Sequence, residues 1–384
     1  MKNCNICESP LGEPLFTSGS RTALTSLCQL REGQVRVWSC RNCSHMLGDE
    51  LPDTLGYYET DYRILLDHDD EDQIYEVRDD QIVYRTDHQV STLLDKLDIR
   101  EGALLLDYGC AKASTPKRLL AHRGDIQVHL FDVSEMYVPY WDRLVRADRR
   151  ALHQSPQHWL NRFDIVTSFF ALEHIPDPKK IVRNIANLLA EDGVFYGVVP
   201  DTFGNVADFI VIDHVNHFTT ASLHFLLTSA GFKDISIDAG AHRGALVFTA
   251  RKQGTPSAAD DPKEINQRSA ALANYWMAMG KRIRTSEHKN SSRTAIYGSG
   301  FYGAFIYSAL ANPENVACFL DRSPFQQDKK LFGKVIVAPD KLPEDVRALY
   351  IGLNPAIARE TMAEMDWPNN PRLHLIYLDE EETE

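Results

Sequence analysis

From residue 87 onward, short apolar runs alternate with amphipathic stretches. The spacing predicts a helix over Asp87 to Leu97, a strand over Ala103 to Asp107 and a helix after Ser114. A strand over Gln127 to Asp132, a helix from Ser134 and a strand over Asp164 to Ser168 follow. A helix over Pro178 to Leu189 and a strand over Val194 to Val199 continue the series. Strands that alternate with helices in this way form a parallel sheet covered on both faces. After a helix over Ala221 to Ala230, two strand-like runs, Ile235 to Ile237 and Ala245 to Ala250, are joined by the turn Gly240 to Gly244. So short a connection cannot make a parallel crossover, and the last strand should therefore run antiparallel.

Residues Gln253 to Asp261, rich in Pro, Ala, Ser and Asp, read as a linker, and a helix over Pro262 to Glu287 leads away from it. A second alternating series opens at Thr294, with strands near Ala295 to Tyr297, Val316 to Leu320 and Ala348 to Gly352, and a last strand at His374 to Leu378. The expected class is therefore α/β. It comprises an N-terminal module, expected to bind zinc (1–60), a Rossmann-like domain with a parallel sheet and an antiparallel last strand behind an acidic connector (61–252), a linker and helix (253–290), and a second Rossmann-like C-terminal domain (291–384).

The zinc expectation rests on spacing. Cys4 and Cys7 form one C-x2-C pair and Cys40 and Cys43 another, and two such pairs bring four thiolates to the corners of a tetrahedron. The segment is too small to hold itself together by burial alone. A four-thiolate site leaves no open position, so the expected role is structural. The alternatives are four unligated thiols, or His45, two residues past Cys43, as a substitute ligand.

Composition narrows the partners. A formal charge of −13 opposes phosphate backbones, and no dense Lys/Arg stripe offsets it, so nucleic acid is not expected as a partner. The acidic run Asp67 to Asp72 and the tail Asp379 to Glu384 read as solvated surface. No segment has the apolar length of a membrane span, and the opening MKNCNICESP lacks a secretory pattern, so a cytoplasmic location is expected.

The string Leu104-Leu105-Leu106-Asp107-Tyr108-Gly109-Cys110-Ala111-Lys112-Ala113-Ser114 is a strand running into a tight turn and a helix. It resembles the first motif of class I S-adenosylmethionine methyltransferases, usually D-x-G-C-G-x-G, with Ala111 and Ala113 where glycines are usual. Alanine disfavours positive φ. Asp132, closing the next strand, is placed to accept hydrogen bonds from ribose hydroxyls, or to cap the following helix. Phe163-Asp164-Ile165-Val166 and Ala171-Leu172-Glu173-His174-Ile175-Pro176 are similar to the later motifs in order and spacing. The resemblance implies S-adenosylmethionine as cofactor, held by Asp107, Gly109, Ala111, Asp132, Val133 and Phe170. NAD is the competing cofactor for such a fold, but the full G-x-G-x-x-G is missing at this first loop.

The acceptor is sought in Val211-Ile212-Asp213-His214-Val215-Asn216-His217-Phe218-Thr219, which follows the strand ending near Val199. A histidine there serves as a general base near neutral pH, with a carboxylate to orient it; the alternative is a set of polar groups capping the next helix. The whole layout resembles the bacterial C-methyltransferases that act on nucleotide-linked 4-keto-6-deoxy sugars. The resemblance implies His214 as base and Asp213 as its acidic neighbour, in enolate-based methylation at C3 during deoxysugar biosynthesis. Val211, Ile212 and His217 depart from that family's Y-H-E-H-x-x-Y-F string. An O- or N-methyltransferase, or a non-catalytic zinc-containing binding protein, are the alternatives. His174 is either a second acid/base or a packed histidine. Gly298-Ser299-Gly300-Phe301-Tyr302-Gly303, with Asp321 after the next strand, has dinucleotide-loop spacing, although the resembling family gives that domain a role in walling in substrate. Oligomeric state, monomer or weak dimer, is left open.

Overall fold

A computed structural model describes residues 2–62, 72–78, 81–255, 262–290, 292–324 and 326–379. Most of the acidic run 67–72, the linker residues 256–261 and the tail from 380 lie outside the described residues. Two compact units emerge. One comprises residues 1–12, 39–208 and 215–268, the other 13–38, 209–214 and 269–384.

The first unit is built on a seven-stranded sheet. Helix α1 (Arg85–Lys96) buries Thr86, Gln89, Val90 and Leu93, the helical spacing of an amphipathic face. Strand β1 (Leu104–Tyr108) follows and is buried on both faces beyond Leu104, which makes it central. Then come α2 (Ser114–His122), β2 (Gln127–Asp132), β3 (Arg150–Leu152) and β4 (Phe163–Phe169). Helix α3 (Pro178–Leu188) starts on Asp177, whose carboxylate accepts from Lys180 N–H, with Pro178 at the first helical position. Strand β5 (Leu189–Pro200), helix α4 (Thr220–Ser229) with a Thr219/Ser222 capping box, β6 (Asp234–His242) and β7 (Ala245–Arg251) complete the sheet and its helices.

The sheet order is β3-β2-β1-β4-β5-β7-β6, parallel throughout except that β7 runs antiparallel to both β5 and β6. The antiparallel close is thus as expected. In that close Gly197 faces Phe248, and a Cβ at Gly197 would overlap the Phe248 ring.

In this unit three elements differ from the sequence expectation. The helix expected from Ser134 is a 3-10 turn, Glu135–Tyr137, followed by a single turn, Val138–Trp141, in which Pro139 occupies the start and Trp141 is fully buried. Arg150–Leu152 adds an edge strand. The connector contains a hairpin, Ile74–Arg78 with Gln81–Tyr84, whose Ile74 and Ile82 are exposed and gave no alternating signal.

The second unit carries a six-stranded sheet. Helix α5 (Pro262–Lys289) precedes β8 (Thr294–Tyr297), α6 (Phe301–Ala309), β9 (Val316–Leu320), β10 (Lys330–Leu331), β11 (Lys334–Val337), β12 (Ala348–Ile351), α7 (Pro355–Ala363) and β13 (His374–Ile376). Its order is β10-β11-β9-β8-β12-β13, parallel except at β10. The hairpin Thr22–Leu24/Leu30–Glu32 belongs to this unit, and Ser20 and Thr22 hydroxyls donate to the Ser308 carbonyl at 2.8 and 3.0 Å. Among the described residues no helix is long and apolar enough to cross a membrane.

The glycine-rich turn between β8 and α6 is packed glycine on glycine. Gly298 has φ +97°, and a Cβ on Gly303 would overlap the Gly298 carbonyl oxygen. Gly303→Ala is therefore expected to destabilise by about 2–3 kcal/mol, since backbone rather than a flexible side chain must move. Gly124→Ala, where the nearest atom is Leu120 O at 3.6 Å, should shift the urea midpoint far less. Equal midpoints for the two variants would contradict this account.

Candidate functional site

The loop after β1 is held in an unusual backbone conformation. Gly109, Ala111 and Ala113 have φ of 80°, 44° and 60°, so both alanines take the left-handed geometry at which glycine is the easy choice. Their neighbours impose it. Ala111 N–H donates to Asp132 Oδ2 at 2.7 Å, and Trp141 Nε1–H donates to the Ala111 carbonyl at 2.7 Å. Gly109 and Cys110 N–H groups both reach the Phe131 carbonyl. A Cβ on Gly109 would sit 2.7 Å from Ala171 Cβ, so at that position only glycine fits.

Asp132 is buried, and its Oδ1 accepts from Val133 and Ser134 N–H at 2.7 and 3.1 Å. The carboxylate is the clasp of the loop. Asp107, one strand away, is buried and accepts from Thr167 Oγ1 at 2.7 Å.

The same carboxyl edge of the sheet gathers around Phe170, expected from sequence, the side chains of Arg85, His88, Tyr75 and His242, which were not singled out there. Phe170, just past β4, has φ 52°, and the Arg85 guanidinium lies 3.9 Å above its ring. His242, at the end of β6, lies 5.5 Å from Phe170 and 5.2 Å from His88, ring to ring, and Tyr75 stacks on His88 at 3.9 Å. His242 Nε2 is buried with no hydrogen-bond partner among the described residues. Burial pulls the His242 imidazole down to about 4, so it is neutral at physiological pH. His88 and His242 are far apart in sequence, and no motif links them.

On the next loop His174 Nδ1 meets the Tyr58 hydroxyl at 2.7 Å, and its ring packs edge-on against Tyr58 and Tyr62 at 5.2 Å each. Glu173 is buried beside it in the chain. The tyrosines of the connector are thus the partners of His174.

The four cysteines converge. Their sulfurs all lie within 4.8 Å of one another, with Cys4···Cys43 at 3.6 Å and Cys7···Cys40 at 3.4 Å. Metal–sulfur bonds of about 2.3 Å in a tetrahedron require sulfurs about 3.8 Å apart, so the cluster fits zinc. The two halves repeat one turn. Glu8 N–H bonds the Cys4 carbonyl and Cys4 N–H the Ser9 carbonyl, while Ser44 N–H bonds the Cys40 carbonyl and Cys40 N–H the His45 carbonyl. Glu8 and Ser44, each following the second cysteine of its pair, both have positive φ. His45 does not complete this cluster as a substitute ligand: its Nε2 faces Asn216 Oδ1 at 3.1 Å.

In the second unit Asp213 accepts from Ser26 N–H at 2.7 Å and from the Ser26 hydroxyl at 2.8 Å. His214 is buried. Asp321 closes the glycine-rich turn, its Oδ2 accepting from Ser299 N–H and Oγ. A cavity of about 270 Å³ is bounded by Phe16, Trp276 and Phe305, with Gly19 beneath the Arg284 guanidinium.

Residues 79–237 match the methyltransferase-domain family. The chain carries a class I S-adenosylmethionine-dependent methyltransferase domain. Among curated proteins, the C-methyltransferase NovU of Streptomyces niveus is 33% identical over 109 residues, which is 27% of this chain and 24% of that protein. A ubiquinone biosynthesis O-methyltransferase of Coxiella burnetii is 28% identical over 112 residues, 27% of this chain and 46% of that protein. The chain therefore spans less than half the length of either. The solved CurJ carbon methyltransferase is 14% identical with a TM-score of 0.36, over 44% of this chain and 55% of that one.

Within the methyltransferase domain, burial and the nearby Asp132 charge raise the Asp107 carboxyl from 3.8 to about 7, against the Thr167 hydrogen bond, which lowers it. A raised folded-state value means the folded chain keeps a proton that the unfolded chain has lost. That stability is fully present below about pH 4 and disappears as pH rises through about 7. Asp107→Asn, which keeps an acceptor for Thr167, should gain stability relative to wild type progressively from pH 4 to 8. Thermal melts at closely spaced pH would show this, and a difference independent of pH would refute the shift.

Proposed function

We propose that the chain transfers methyl from S-adenosylmethionine to carbon, at C3 of a nucleotide-linked 4-keto-6-deoxy sugar, with His214 as general base. The observation that carries the reading is a four-cysteine cluster built into the same compact unit as a methyltransferase domain, together with a second parallel-sheet unit that we read as Rossmann-like. The similarity to NovU, named a C-methyltransferase, supports carbon as the acceptor. The same composition would place the protein in deoxysugar biosynthesis.

The cofactor would be held by the loop from Gly109 to Ala113 against its methionine part, by Asp132 at the ribose, and by Val133 and Phe170 nearby. The cramped Gly109 and the clasped, left-handed Ala111 suit close approach of a ligand to backbone. Bound there, S-adenosylmethionine supplies an electrophilic methyl group. His214 takes the C3 proton, and the adjacent ketone oxygen takes up the charge as an enolate. Asp213, fixed by Ser26, steadies the segment that carries the base. Zinc on Cys4, Cys7, Cys40 and Cys43 is structural.

The second reading is O-methylation, favoured by the Coxiella burnetii relative. Incubation with a labelled-methyl cofactor and a 4-keto sugar nucleotide in D₂O separates the two. Deuterium at C3 and a C-methyl product are expected; an O-methyl product with no exchange would overturn the first reading. His214→Ala should lower turnover by at least about 10²-fold while cofactor affinity stays within about threefold. Activity near wild type would remove His214 from the chemistry. Cys4→Ser or Cys40→Ser should each release zinc from about one ion per chain, as read by elemental analysis of the purified protein; full retention would refute the ligand set.

A further inference from the structure

One buried amide joins the cysteine cluster to the loop that carries Glu173 and His174. Asn216 is fully buried. Its Oδ1 accepts from Asn5 Nδ2 at 2.7 Å and faces His45 Nε2 at 3.1 Å. Asn5 lies between Cys4 and Cys7, and His45 lies two residues past Cys43, so each cysteine pair sends one side chain to the same oxygen. The Asn216 Nδ2 group donates to the Leu172 and Ile175 carbonyls at 2.8 and 2.7 Å. Val215 N–H donates to the Glu173 carbonyl at 2.9 Å, and Asn5 Nδ2 also reaches the Pro176 carbonyl at 3.0 Å. The carbonyls of residues 172, 173, 175 and 176 are therefore fixed by groups that the cysteine turns or Asn216 and its neighbour position.

We infer that Asn216 couples occupancy of the four-cysteine cluster to the placement of the Leu172–Pro176 loop, with Asn5 and His45 as positioning residues. The inference rests on the zinc and methyltransferase readings above. Ile6 and Met46 beside the cysteines are buried, but four thiol groups this close are held together as thiolates only by a metal, so the shape of the turns depends on it. When they relax, Asn5 and His45 leave Asn216, and a buried carbonyl oxygen without its donors is costly enough to displace the amide and the loop it holds.

Hydrogen exchange on the full chain tests this, before and after zinc is removed with a chelator. His174 and Ile175 N–H groups, bonded to the Ala171 and Leu172 carbonyls, provide the probes. Their protection is expected to fall at least tenfold on metal removal, while amides of β1 hold. Asn5→Asp keeps the shape but lacks the amide donor, and should deprotect the same two amides with zinc still bound. His45→Gln, whose amide can still donate, should retain protection that His45→Leu loses.

Deprotection confined to residues 2–11 and 39–48, or a chain that takes up no zinc, would overturn the coupling. Titration with S-adenosylmethionine keeps the two readings apart. Cofactor affinity of Asn5→Asp should stay within about twofold of wild type. A chain that never binds the cofactor would defeat the methyltransferase reading and leave the exchange result standing.

Discussion

The carboxylate of Asp132 holds the loop on which the cofactor reading depends. It is buried, and a buried charge is tolerable only when donors surround it; here three backbone N–H groups, from Ala111, Val133 and Ser134, do so. Left-handed geometry at an alanine costs roughly 1–2 kcal/mol, and the chain takes it at both Ala111 and Ala113. The Asp132 clasp and the Trp141 bond to the Ala111 carbonyl offset that strain. Alanine has less freedom than glycine in the unfolded chain, so a loop built this way starts closer to one shape. What looks in sequence like a weakened motif is in space a stiffened one.

Much of the first sheet was legible because its strands are buried on both faces and read as unbroken apolar runs. Leu104 to Leu106 and Ile165 to Val166 are of this kind, and each strand is followed by a turn and then a helix or helical turn. The hairpin at Ile74–Tyr84 was not legible, since it exposes isoleucines and lacks alternation. The short turn at Val138–Trp141 looked like a longer helix because its apolar residues satisfy the helical period, while Pro139 and the burial of Trp141 cut it short. The site was legible only where spacing along the chain fixes it. Cysteine pairs announce themselves locally. The grouping of Tyr75, His88 and His242, or of Tyr58 with His174, depends on which loops share one edge of a sheet, and no local signal encodes that.

Histidine shows how little residue type decides. His45 and His217 are both fully buried, yet one faces an amide oxygen and the other the Asp208 carboxylate at 3.1 Å. His242 is neutral, with one nitrogen that has no partner among the described residues. His174 shares its ring nitrogens with tyrosine hydroxyls. The surroundings, and not the imidazole, assign these roles.

The segment Asp213 to His217 divides in the same way. Asp213 is anchored by Ser26, Val215 by the Glu173 carbonyl, Asn216 by two further carbonyls and by Asn5, and His217 by Asp208. Residues on both sides of His214 are therefore fixed in backbone or side chain. A proton acceptor on such a segment needs little reorganisation when an acceptor molecule arrives, and positioning of this kind is where a protein gains most in a reaction whose electrophile comes ready-made. Most members of the polar string are thus structural, and the role proposed above for His214 rests on the frame they set.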